Sequence, residues 1–392
     1  MQVFPPKVRA PRRSLLSLPR LWKKPTPRTV LVIGGGGYIG SALLPKLLER
    51  GHRVRLLDRL FYGFDPIRPV LDHANLEVMQ ADFRRVDKLV QCMQGVDAVI
   101  HLGAIVGDPA CALDQDLTIE VNLMATKTIA EVAKGYGIRR FIFASTCSVY
   151  GASGEGELLT EESALNPVSL YAVTKLASER VLLGLASDTF SPTCLRFSTI
   201  YGLSGRTRFD LVVNLLTAKA LMDGEITIQG GDQWRPFLHV DDAALSVLHT
   251  LESPLPKIHN EVFNVGSDEQ NFTIQQIGEL IHTMVPGSQL VNQGLGGDRR
   301  DYKANFRKIR EEIGFVPRWT VFEGINQVID VIRRGEVKDY RSATYSNVKF
   351  LTEQESPENL VRHESSWAYD LCDLVKKTAM LPSLSPRVPV AA

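Results

Sequence analysis

Cysteine is scarce and has no pairing pattern. Cys92, Cys111, Cys147, Cys194 and Cys372 are the only five, and none forms a C-x-x-C spacing. A chain of 392 residues can bury a core without covalent staples, so scattered cysteines in odd number read as reduced thiols of a cytoplasmic protein. No run of about 18 apolar residues occurs, which excludes a membrane-spanning helix from the expectation. Net charge is nearly absent as well, at +1, so neither nucleic acid nor another polyanion is an expected partner. There is no internal repeat. The 44% apolar and 23% charged content are those of an ordinary globular chain.

The neutral total hides an uneven distribution. Residues 1–28 hold eight Lys and Arg (Lys7, Arg9, Arg12, Arg13, Arg20, Lys23, Lys24, Arg28), no acid, and six prolines. Such a segment cannot bury enough apolar surface to order itself and reads as a disordered basic tail. The remainder is mildly acidic. Residues 336–392 form a C-terminal extension whose Pro-rich end (Pro382, Pro386, Pro389) reads as loose.

Between these ends, short apolar runs alternate with helical patterns. Val30–Ile33, Val54–Leu57, Leu76–Met79, Ala98–His101 and Phe141–Ala144 read as strands. Ile39–Arg50, closed by a C′ glycine at Gly51, Val86–Met93, Leu117–Tyr136 and Val168–Leu185 read as helices. Alternating βαβα predicts an α/β fold, a Rossmann-type doubly wound parallel sheet, over 29–200. The irregular stretch over 201–335 predicts a smaller mixed α/β lobe that binds substrate and returns some elements to the sheet.

Gly34-Gly-Gly-Gly-Tyr-Ile-Gly40 sits between the first strand and the first helix. Gly34 permits the tight turn, Gly37 lets a pyrophosphate approach the backbone, and Gly40 lets helix and strand pack closely. The helix start then offers free N–H groups to phosphate. Asp58, at the end of the second strand, is placed to accept from the adenosine ribose hydroxyls and to repel a 2′-phosphate, which favours NAD over NADP. Tyr171 and Lys175 lie four apart on a helix, hence on one face. A lysine cation and a positive nicotinamide both favour a phenolate over its ordinary pKa near 10, and a phenolate can take a proton from a substrate hydroxyl.

The Gly34/Gly37/Gly40 spacing, Tyr171-Ala-Val-Thr-Lys175, Ala144-Ser-Thr-Cys-Ser-Val-Tyr-Gly151 and Arg235-Pro-Phe-Leu-His-Val-Asp-Asp242 together resemble the extended short-chain dehydrogenase/reductases, the NAD-dependent nucleotide-sugar epimerase/dehydratase family. The resemblance runs from about Thr29 to Arg334. It implies a cofactor site built from Gly34, Gly37, Tyr38, Ile39, Gly40, Asp58, the adenine-contacting Asp82 with Phe83, Leu102 and Ala104 of His101-Leu-Gly-Ala104, Asn122, Tyr171 and Lys175. Thr146 falls where the family has its catalytic Ser or Thr, with Ser145 as the alternative. Substrate contacts are implied for Thr146, Thr199, Arg208, Asn214, Arg235 and Arg300, with Arg299 as the alternative to Arg300. A homodimer through helices Leu117–Tyr136 and Val168–Leu185 is also implied.

The two positions after Thr146 separate reactions. Related 4,6-dehydratases carry Asp-Glu there and the decarboxylases a Glu at the second, whereas this chain has Cys147 and Ser148. The cysteine acid of some 3,5-epimerases aligns with Ser148, so Cys147 reads as a small packed residue. The family's substrate-contacting Asn is replaced by Thr199. Together with Ala104–Cys111 and Arg208–Asn214, this is similar to a subgroup containing GDP-heptose 4-dehydrogenases, in which Arg206 and Arg208 help to bind the nucleotide or sugar. His239, Asp241 and Asp242 read as a turn and helix cap, not a metal site. The expected activity is therefore 4-epimerisation of a nucleotide-diphosphate sugar through a ketosugar. The alternatives are a net 4-dehydrogenase or ketosugar reductase and, in another class, a non-catalytic NAD- or nucleotide-binding regulator.

Overall fold

The computed structural model describes residues 26–152, 158–294 and 300–354. The basic tail up to residue 25, Gly297-Asp298-Arg299, Cys372 and the Pro-rich end lie outside the described residues. Five strands, β1 (Thr29–Ile33), β2 (Arg53–Asp58), β3 (Leu76–Gln80), β4 (Ala98–His101) and β5 (Arg140–Thr146), join Ser191–Phe197 and Glu261–Val265 in one sheet. All seven are parallel, in the order Glu261–Val265, Ser191–Phe197, β5, β4, β1, β2, β3.

Strand periodicity builds the layers. Along β1, Val30 and Val32 join a core with Leu43, Leu47 and Leu248, while Leu31 and Ile33 join another with Leu89, Ile129 and Leu182. Successive side chains thus go to opposite faces of a sheet covered on both. Fully burying one such side chain contributes about 1.5–3 kcal/mol. The first helix, α1 (Tyr38–Glu49), ends as its sequence implies: Gly51 has φ +82°, and its N–H reaches the Leu48 carbonyl at 2.9 Å.

After β3 the chain crosses back to pair β4 with the other edge of β1. This reversal opens a crevice at the carboxyl ends of β1 and β4. The second lobe has its own core, including Val213, Ile226, Phe237, Ile277 and Ile325, and small sheets such as the pair Glu225–Ile228 and Gln289–Asn292. Glu261–Val265 returns to the main sheet beside Ser191–Phe197.

One element differs from expectation. The helix read over Leu117–Tyr136 is divided into Gln115–Ile119, a wide π turn over Glu120–Met124, and Ala125–Gly135. Thr126 Oγ1 and Ser178 Oγ both donate to the Asn122 carbonyl, at 2.7 and 2.9 Å, where an unbroken α-helix would place only a backbone N–H. The described part of the C-terminal extension also packs onto the body: Val337 and Tyr340 bury against Phe209 and Val328. No helix among the described residues is long and apolar enough to cross a membrane.

Candidate active site

A cleft of about 320 Å³ occupies the crevice. Gly34 adopts φ +80°, and a Cβ there would lie 2.4 Å from the Gly103 nitrogen, so only glycine lets the two loops close together. A Cβ at Gly40 would likewise lie 2.4 Å from the Gly35 Cα. At Gly37 the nearest neighbour of an added Cβ is the Gly34 oxygen at 3.4 Å, so the protein's own atoms do not demand glycine and the open side faces the cleft. Gly37 caps α1 without a side-chain hydrogen bond, leaving first-turn N–H groups beside the lining residues Tyr38, Ile39 and Gly40.

Asp58 ties the glycine loop to β2. Its Oδ2 accepts from Gly36 N at 2.8 Å and its Oδ1 from Leu60 N at 2.7 Å, and each oxygen keeps a further lone pair. Burial pushes its pKa up despite these bonds. At Asp82 burial works in the same direction, but the Arg84 side chain and Arg59 outweigh it and hold the carboxylate below its usual range. Arg59 is thus engaged with Asp82 at 3.2 Å and with the Phe61 ring. Phe83, Leu102 and Ala104 complete this end of the lining.

At the other end lie Thr146, Tyr171, Lys175 and Thr199. Ser169 caps the helix Leu170–Gly184 and so sets the orientation of the pair. The Thr146 hydroxyl is near enough to Tyr171 to favour its phenolate. Its Oγ1 also lies 3.1 Å from Ser148 Oγ, which receives Arg300 Nη1 at 3.4 Å. Lys175 Nζ donates to the Ala144 carbonyl at 2.8 Å, and burial pushes its pKa down to about 8. The expected lowering of the Tyr171 pKa is not produced by the protein's own groups. Burial pushes it up, Cys111 and Asp108 add to that, and Arg208 and the Thr146 hydroxyl oppose it. Ser145, the alternative to Thr146, gives its hydroxyl to Glu179, which is paired with Arg196 at 2.7 Å.

Three of the expected ligand residues are held away from the lining of the cleft by bonds of their own. Asn122 does not line the cleft; it is buried, accepts from Ile105 N at 2.8 Å and donates to Ile105 O at 2.9 Å, so it shapes the loop after β4. Asn214 is fully buried and is consumed by the Gly202 N–H and the Gly202 and Arg208 carbonyls. Arg235 is turned onto its own strand, donating to Trp234 O at 2.7 Å and Gln233 at 3.2 Å. Arg208 does line the cleft, held bidentately by Asp210 at 2.9 Å on both oxygens. Arg300 lines it too, 3.5 Å from Asp108. Cys147 is fully buried, with its thiol on the Arg196 carbonyl at 3.2 Å. His239 caps the helix Val240–Glu252, and Asp242 accepts from Arg318 N and Trp319 N.

Tyr62, Tyr302, Asn347 and Leu351 also line the cleft, and sequence reasoning missed all four. Tyr62 and Tyr302 lie close to motifs that were read, after Asp58 and Arg300. For Asn347 and Leu351, beyond every motif, no signal existed.

A switch-point crevice with a glycine-lined helix start at one end and a Tyr/Lys pair with a hydroxyl at the other fits a dinucleotide, and defines an NAD-dependent enzyme of the short-chain dehydrogenase/reductase type. The chain belongs to the NAD dependent epimerase/dehydratase family, whose model matches residues 30–266. It is 26% identical over 322 residues to a UDP-N-acetyl-alpha-D-glucosaminuronate decarboxylase of Bacillus cytotoxicus, covering 78% of this chain and 98% of that one. It is 26% identical over 309 residues to a UDP-glucose 4-epimerase of Corynebacterium glutamicum, covering 74% and 91%. Among solved structures, MoeE5 in complex with UDP-glucuronic acid and NAD superposes with a TM-score of 0.69 at 29% identity, covering 78% of this chain and 99% of that one.

Proposed function

We propose that the protein is a 4-epimerase of a nucleotide-diphosphate sugar, acting through transient oxidation of C4 to a ketosugar. The observation that carries this reading is the distribution of acids in the cleft. Among the described lining residues the carboxylates are Asp58 and Asp82, both at the end remote from Tyr171; Asp108, at the Tyr171 end, is off the lining and engaged with Ser169 Oγ at 2.6 Å and Arg300 at 3.5 Å. Elimination of water needs an acid and a base beside the sugar ring. At that end the side chains after Thr146 are the packed thiol of Cys147 and the hydroxyl of Ser148. Dehydration and the decarboxylase pattern therefore fit less well than simple oxidation and return.

Bound NAD supplies a two-electron acceptor at C4. Tyr171 takes the C4 hydroxyl proton as base and returns it as acid. Thr146 shares the reacting oxygen and keeps the phenol aligned. Positive charge brought beside the phenol acts against burial in the same direction as Arg208 and favours the phenolate. Lys175, fixed by Ala144, supplies part of that charge. Arg300 and Thr199 face the substrate end, and Arg300 is the residue assigned to the sugar nucleotide's diphosphate. We keep residues 29–200 as the cofactor unit and 201–335 as mainly the substrate lobe.

A net 4-dehydrogenase is the second reading, favoured by Thr199 and by the lining segment Ile105–Gly107. Incubation with UDP-, GDP-, dTDP- and CDP-sugars, read by mass and NMR, separates the two. An isomerised sugar of unchanged mass is expected; a product two mass units lighter with stoichiometric NADH would replace epimerisation by oxidation. We also assign a homodimer, since Ile119, Met124 and Val173 expose apolar side chains on the expected helices; a monomer in light scattering would reject it. A cytoplasmic location accords with free, buried Cys92, Cys111, Cys147 and Cys194.

A further inference from the structure

Arg206 stands apart from the other cations of the cleft. It is only 4% exposed, it lines the cleft, and its Nε and Nη2 have no hydrogen-bond partner. Its neighbour Arg208 has its Nε and Nη2 on Asp210, Arg59 leans on Asp82, and Arg300 approaches Asp108. A buried guanidinium with unmatched donors is unfavourable, and a fold retains one where a ligand completes it.

Its surroundings indicate which ligand. Arg206 N donates to Ser41 Oγ at 3.2 Å, in the first turn of the twelve-residue helix α1, whose N–H groups open into the same cleft. The preceding Gly205 is pressed against that helix start: a Cβ there would lie 3.0 Å from Ser41 Cβ and 2.0 Å from Pro66 O. The guanidinium carbon lies 4.0 Å over the Tyr62 ring, which fixes its plane. Tyr62 is backed in turn by Phe350, with ring centroids 4.6 Å apart, and its hydroxyl donates to Asn347 Oδ1 at 3.3 Å. Those two residues belong to a segment beyond the family match at 30–266.

We infer that Arg206 is the counter-charge of the cofactor's diphosphate, carried from the second lobe onto the α1 end of the cleft and held flat by a Tyr62 platform that the C-terminal segment braces. A planar fork beside oriented N–H groups suits a diphosphate. The inference rests on NAD as cofactor and is independent of which sugar is turned over. The sugar nucleotide also carries a diphosphate, but the residue assigned to it, Arg300, stands with Ser148 and Asp108 at the Tyr171 end.

The test is calorimetric titration of the full chain with NAD, ADP, adenosine and UDP in phosphate-free buffer, comparing wild type with Arg206→Met. ADP and NAD are expected to bind about 10–100-fold more weakly to the variant, with adenosine and UDP unchanged. Unchanged ADP and NAD affinity overturns the inference. So does a loss confined to UDP, which would assign the arginine to the substrate. Tyr62→Leu, which keeps the charge and removes its platform, covers the case of an Arg206→Met chain that does not fold. It should weaken ADP several-fold and spare adenosine, and an unaltered ADP affinity would again overturn the clamp. A wild-type chain that binds neither NAD nor ADP would remove the cofactor site and the clamp together, whereas NAD binding without sugar turnover would remove only the epimerase reading.

Discussion

Asn347 donates its side-chain N–H to the Val106 carbonyl at 2.8 Å, across 241 positions of sequence. Its backbone N–H goes to Asp210 Oδ2 at 3.1 Å, and its Oδ1 accepts from Tyr62. One residue of the C-terminal segment thereby joins the loop after β4, the carboxylate that orients Arg208, and the platform under Arg206. Replacing it removes two side-chain bonds, each worth about 0.5–1.5 kcal/mol. Asn347→Ala should release NAD roughly tenfold faster in stopped flow, with a Tm lower by a few degrees at most. Release at the wild-type rate would show that the segment does not close the cofactor site.

Tyr171→Phe keeps the ring and removes the hydroxyl at the Thr146 end of the cleft. Turnover should fall by about 10²–10⁴ while NAD titrates as in wild type. A variant that keeps most of its kcat would displace Tyr171 as the proton-transferring group. A variant that loses NAD instead would make the residue a cofactor contact without a chemical role.

Asp58→Asn separates charge from architecture. One amide oxygen can still receive Gly36 N or Leu60 N, but the amide NH₂ must face the other donor. A lost buried bond of this kind costs about 1–3 kcal/mol, to be read as a lower Tm. With the negative charge gone, the preference for NAD over NADP should shrink by at least tenfold in paired titrations. Unchanged discrimination would detach Asp58 from the ribose.

The fold was legible wherever a local pattern had a local cause. Gly34, Gly40 and Gly51 are read correctly because each answers to a backbone conformation or close approach within its own β–α unit. Tyr171 and Lys175 are legible because helical spacing puts them on one face. Side-chain direction was not legible. Arg235 and Asn214 sit in recognisable segments, yet each has a donor on a nearby backbone carbonyl, and no spacing rule states which partner a long or amide side chain will take. The raised pKa of Tyr171 had the same origin, since burial is a property of the assembled cleft. Asn347 and Leu351 reach the cleft only through tertiary packing of a segment that carries no motif.

Asp242 offers a test away from the cleft. Burial pushes its carboxyl up to about 7, although Trp319 N and Arg318 N both donate to it. In the unfolded chain the same group titrates near 3.9. Between those values the folded protein keeps a proton that the unfolded chain has released, so stability falls as pH rises, with the loss complete once pH passes the folded pKa. The buried carboxyl alone is worth up to ~4 kcal/mol over that window. Asp242→Asn stays neutral throughout, and its amide oxygen can still accept from both backbone groups. Urea denaturation at pH 5 and pH 8 should show the variant gaining on wild type by about 2–3 kcal/mol at the higher pH. Parallel curves at the two pH values would mean that Asp242 is ionised in the folded protein, with its buried charge matched by the two N–H groups alone.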